Sequence, residues 1–122
     1  MAAPNIVNVS SIYGKTMGAA LGTTGGADIL SGASDKLFKI NSIIVSNVDG
    51  TNSADVHVRF YDYTASTAYH LAKAVSVPAQ STLIVLGKDS PIYLEENDRI
   101  QAHASAASDL EIIISYEELD DA

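Results

Sequence analysis

With 122 residues, a formal net charge of −8 and 47% hydrophobic side chains, the chain is long enough for one packed domain, burying about two-thirds of the surface its unfolded form exposes. It has no cysteine, which excludes a disulfide framework, a thiolate nucleophile and a Cys-ligated zinc site. No apolar run approaches the ~20 residues of a membrane helix, and the first seven residues lack a basic n-region and an apolar h-region, so a soluble protein made in the cytoplasm is expected.

Charge is unevenly placed. Nine of the fifteen acidic residues, among them Glu111, Glu117, Glu118 and Asp120, fall in the last quarter, where Arg99 is the only base. The seven basic residues are scattered singly, so no stripe exists to displace counterions from a phosphate backbone, and nucleic acid is not an expected partner.

In chain order, six of the eight glycines lie in the first 32 residues among Ala, Ser and Thr. Residues 1–35 read as a glycine-rich N-terminal arm of a single domain spanning 1–122, with short strands at 5–9, 11–13 and 28–30. Glycine loses the most backbone freedom on ordering, so such an arm needs a surface to pack on. Ile6, Val7, Val9, Ile12 and Tyr13 are its candidate interface residues, and a homo-oligomer, with a trimer favoured, is the expected way of ordering it.

The body is denser in Val, Ile and Leu and reads as strands separated by turns. Residues 37–48 are apolar on both faces, with Phe38, Ile40 and Ile44 on one and Leu37, Ile43 and Val45 on the other, as in a central strand. Residues 55–63 alternate, with Val56, Val58 and Phe60 inward against His57, Arg59 and Tyr61. Strands follow at 67–77, 81–86, 91–94, 99–105 and 110–116, the last placing Leu110, Ile112, Ile114 and Tyr116 on the core side. Short strands at this spacing, with no amphipathic helix, specify an all-β fold: an antiparallel β-sandwich of jelly-roll or immunoglobulin-like topology.

No motif for chemistry survives inspection. Gly14-Lys15-Thr16 resembles the end of a phosphate-binding loop, yet Val9 stands where the first glycine is required. His57, His70 and His103 lie on separate strands without ligand spacing, and residues 49–55 lack the glycine and terminal Glu of a calcium loop, so no metal and no cofactor is expected. There is no Gly-x-Ser-x-Gly elbow, and Glu95/Glu96 and Glu117/Glu118 are adjacent in extended chain and point to opposite faces. No catalytic residue is assigned and an enzyme is not expected. The tyrosines suit sheet edges or interfaces, with a sugar platform as the other reading.

The segments Asn5-Ile-Val-Asn-Val-Ser-Ser-Ile-Tyr-Gly-Lys-Thr16, Phe38-Lys-Ile-Asn-Ser-Ile-Ile-Val-Ser-Asn47, Tyr93-Leu-Glu-Glu-Asn-Asp98 and Ser115-Tyr-Glu-Glu118 resemble small virion structural proteins of tailed bacteriophages, of the marine T4-like cyanophage type. The resemblance spans almost the whole chain. It implies a non-enzymatic virion protein, made in the host cytoplasm and placed on the capsid surface as a head decoration or cement protein. Its partners would be the major capsid protein or other virion proteins, without nucleic acid or membrane. The other reading it allows is a tail, neck or fibre component that binds a host receptor or carbohydrate. Asn97 stands where such chains commonly carry Gly, and Asn accepts the left-handed turn nearly as well.

Overall fold

A computed structural model describes residues 9–121. They form nine strands: β1 (Val9–Ala20), β2 (Asp28–Ser31), β3 (Lys36–Asn47), β4 (Ala54–Asp62), β5 (Thr67–Val77), β6 (Thr82–Leu86), β7 (Ile92–Leu94), β8 (Arg99–Ala104) and β9 (Leu110–Asp121). The first sheet runs β1-β9-β3-β6, with β7 also on β3, and the second runs β2-β8-β4-β5; every pairing is antiparallel.

The pairing is nested. With β7 set aside as a short addition, β1 pairs with β9, β2 with β8, β3 with β6 and β4 with β5. A long hairpin rolled into two facing sheets has this order, so the sandwich is a jelly roll and not the immunoglobulin arrangement. The core lies between the sheets and is built from inward positions of both, including Ile43, Val45, Ile112 and Ile114 facing Val56, Val58 and Ile100, all fully buried.

In β3 the structure departs from strict alternation. Its register with β9 shifts between Ile40 and Ser42, so an extra residue is accommodated and the parity of the strand reverses. Phe38 and Ile40 face the core before the bulge, and Ile43 and Val45 face it after. Ile44, expected beside Phe38 and Ile40, is therefore turned to the outer face.

The glycine-rich segment is more regular than the expected arm of short strands. Residues 9–20 make one continuous strand on β9, with Met17 opposite Ile114 and Ala19 opposite Ile112, both packed on the core. Gly14 and Gly18 sit within it; a methyl at Gly14 would meet nothing within 4 Å. Left-handed turn positions fall on Gly26, at φ 76°, and otherwise on non-glycine residues, among them Asp35, Ser66, Gln80, Asn97 and Ser108. Asn97 has φ 68° and turns the chain from β7 into β8.

Two buried polar side chains fasten the loops. The Asn47 amide donates to the carbonyls of Asn52 and Val77 at 3.0 and 2.9 Å, and its oxygen accepts from the Asp49 amide at 2.9 Å. Asp98 accepts from the backbone amides of Tyr63 and Glu95, both at 3.0 Å. Each satisfies backbone groups that would otherwise be stranded where strands end.

Candidate functional site

Three surfaces of the jelly roll carry chemistry, and strand pairing creates all three. The first is the outer face of the second sheet. Alternation along β4 points His57, Arg59 and Tyr61 outward, and the register with β8 sets them against His103, Gln101 and Arg99. The His57 and His103 rings stack with centroids 4.3 Å apart and planes at 5°, while His70 on β5 meets His57 edge-on at 6.4 Å. Arg59 Nη2 donates to Gln101 Oε1 at 2.7 Å, and Gln101 Nε2 to Asp28 Oδ1 at 2.9 Å. Arg99 lies 5.3 Å from the Tyr61 ring centre and 3.4 Å from Asp28.

Burial, followed by the charges of Lys73 and Arg59, lowers the pKa of His70; burial, followed by His57 and Arg59, lowers that of His103. These two imidazoles are thus neutral near neutral pH, and the face gains positive charge only on acidification. Sequence separation hid this cluster, since only the β4–β8 and β4–β5 registers unite the three histidines. Among the described residues, no group of three His, Asp or Glu side chains could hold a metal ion.

The second surface is a cleft of about 410 Å³ at the side of the sandwich, lined by Phe60, Tyr69, His70, Leu71, Ile92 and Tyr93. It opens where β5 of one sheet passes β7 of the other, and Tyr69 and Tyr93 remain half-exposed at it. Four of its six lining residues are aromatic or imidazole rings. Such a wall offers ring faces and few hydrogen-bonding groups.

The third surface is the outer face of the first sheet. Ile113 of β9 lies opposite Ile44 of β3, which lies opposite Ile84 of β6, giving an isoleucine row across three strands. Ile84 is 66% and Ile113 42% exposed. Hydroxyl pairs flank the row, Thr16 with Ser115 at 3.3 Å and Ser46 with Thr82 at 3.2 Å. The run Ile112-Ile113-Ile114 carried a signal for this, because three successive apolar residues in a strand cannot all face one core.

The candidate interface residues divide. Ile6 and Val7 lie outside the described residues, and Val9 begins β1. Ile12 and Tyr13 follow on β1, 60% and 49% exposed, opposite Leu119 and Glu118. Glu118 itself is buried and accepts from Lys15 and Lys36, each at 3.0 Å, while Lys36 also reaches Asp120 at 2.8 Å. Gly14-Lys15-Thr16 is extended strand, so it does not form the loop a phosphate would need. In the 49–55 loop the Asp49 carboxylate accepts from the Thr51 amide at 2.9 Å, an Asx turn.

No family model matches this chain, and no curated protein matches it by sequence. In fold it is similar to a chain from a solved structure described as "Bacillus endospore appendages form a novel family of disulfide-linked pili". The TM-score is 0.54 at 15% identity, covering 92% of this chain and 88% of that one. At that identity the likeness shows the β-sandwich fold. This chain, without cysteine, makes no disulfide.

Proposed function

We propose that the chain is a non-enzymatic structural protein of a phage virion, a head decoration or cement protein that binds the assembled shell. The observation that carries this reading is the isoleucine row of Ile44, Ile84 and Ile113. The row itself is apolar and uncharged, spread over three strands of one sheet and bordered by Ser, Thr and the single carboxylate of Glu111, the composition of a surface that seats on another protein. The sequence resemblance to phage virion proteins supports the same reading. The mechanism is mechanical: a protein that binds only the assembled shell adds its binding free energy to that state and shifts the balance away from rupture. Its partner is the major capsid protein or another virion protein. Immunogold labelling and cryo-electron microscopy of the source particle test it; the density belongs on the head, and its absence from the particle would refute the proposal.

A second reading is a tail, neck or fibre component that binds carbohydrate. The cleft with Tyr69 and Tyr93 at its mouth favours it, since ring faces stack on pyranose C–H groups. Glycan-array binding that is lost in Tyr69→Ala and Tyr93→Ala, with labelling on the tail, would select this reading over the first.

A further inference from the structure

Of the four sheet edges, three are blunted. β2 has four residues and a register shift; β6 and β7 have five and three and divide the β3 edge between them. β5 is long but carries two register shifts, a left-handed Ala74 at φ 51° and the exposed Lys73. Short length, bulges and charges are the devices by which proteins keep an edge from pairing.

β1 has a register shift only at its start, between Val9 and Ser11. From Ser11 to Ala20 its pairing with β9 is regular, it contains no proline, and among the described residues no strand pairs its other side. Its only charged side chain, Lys15, turns back onto Glu118 at 3.0 Å and does not guard the edge.

We propose that β1 pairs antiparallel with β1 of a second copy, across a two-fold axis at Thr16, so that the first sheet runs continuously through a dimer. The occupant follows from the comparison of edges, because among the described residues the one long, regular edge a second copy can offer is the same one. With the two-fold normal to the sheet, facing residues must share a face, so the axis passes through a residue. Centring on Lys15 would oppose two like charges. Centring on Thr16 places Gly14 against Gly18 and Lys15 against Met17, and sets the large Tyr13 and Ile12 against the small Ala19 and Ala20.

The outer surface fits this register independently. A groove of about 400 Å³ runs beside the edge, lined by Gly18, Ala19, Ala20, Glu111, Ile112 and Ile113. The partner's Ile12, 60% exposed in the single chain, stands beside it and fills it. Pairing centred on Thr16 runs from Ile12 to Ala20 and gives about 30 Å of continuous ladder. Self-pairing of one edge closes at two copies, so the trimer favoured on composition needs a different surface. Without cysteine the association is non-covalent.

The test uses the full chain and is independent of the virion assignment, which particle labelling decides. Sedimentation at micromolar concentration should give a dimer, and Thr16→Lys should weaken it by about tenfold or more, because like charges then face each other at cross-strand distance. Mixing Thr16→Lys with Thr16→Asp should restore it. Thr16→Cys should form an intermolecular disulfide on mild oxidation, since facing Cβ atoms lie about 4.5–5.5 Å apart. Ala20→Cys should not, because the two Ala20 positions are far apart along the ladder. A monomer throughout, or a dimer in which Ala20→Cys links as readily as Thr16→Cys, overturns the proposal.

Discussion

His57 and His103 face each other across β4 and β8 with their rings stacked 4.3 Å apart. Protonating both places two cations in contact, beside Arg59 and His70. The folded state holds the pKa values of His103 and His70 below the ordinary value of about 6.5. As pH falls through that value the unfolded chain takes up protons that the folded chain refuses, so stability must fall. We expect the denaturant midpoint to start dropping as pH falls through the unfolded histidine pKa of about 6.5 and to level off only below the lowered folded values. In His103→Gln the drop should be smaller, and an unchanged slope would remove the cluster from the explanation.

Glu118 titrates lower down. Burial, the largest single influence, pushes its pKa up, but hydrogen bonds from Lys15 and Lys36 together outweigh it and hold the carboxyl below its ordinary range. Its contribution is present above the unfolded carboxylate pKa and disappears as pH falls through the folded one. Glu118→Gln should destabilise by about 1 kcal/mol at neutral pH, since solvent already screens both lysines. The difference from the native chain should vanish in strong acid, which unfolding at a series of pH values will read.

The β3 bulge predicts opposite outcomes for neighbouring isoleucines. Ile43→Ala removes a fully buried side chain and should cost about 2–5 kcal/mol. Ile44→Ala, on the outer face, should cost well under half of that. Equal losses would mean that the parity does not reverse at residue 41.

Two glycines should respond differently to a methyl group. At Gly32 an added Cβ collides with the Glu95 carbonyl oxygen, where the Gly32 amide already donates to the Asp98 carbonyl at 2.8 Å. Gly32→Ala should lose about 1–3 kcal/mol through forced backbone movement. At Gly14 the methyl finds open space, so Gly14→Ala should stabilise the single chain by about 0.4–1 kcal/mol. Thermal unfolding of the two variants side by side decides it.

Alternation made most of the sandwich readable: Val56 and Val58 in β4 and Leu110, Ile112 and Ile114 in β9 are buried as their spacing dictates. β5 also runs from Thr67 to Val77 as its turn-bounded pattern implies. The bulge near Asn41 was hidden, because Ile43-Ile44-Val45 offers an apolar residue to the core in either register. β1 was hidden too: Gly14 and Gly18 carry turn and arm propensity, and what makes them strand is the ladder offered by distant β9. The candidate surfaces were less legible still. His57, His70 and His103 become neighbours, and Phe60, Tyr69 and Tyr93 converge, only through cross-strand register and the approach of the two sheets.

The nested order also sets when the molecule can fold. Among the described residues β1 pairs with β9 alone, and the Lys15–Glu118 contact joins residues 103 apart in sequence. A ribosome releases β1 before β9, yet the ladder of β1 does not exist until β9 has emerged. Closure of the first sheet must therefore wait for β9, and is slowed by the long loop that must be drawn shut. Until then β3 is paired only on its β6 and β7 side and presents an open edge, so yield in a heterologous host should rise with chaperone supply.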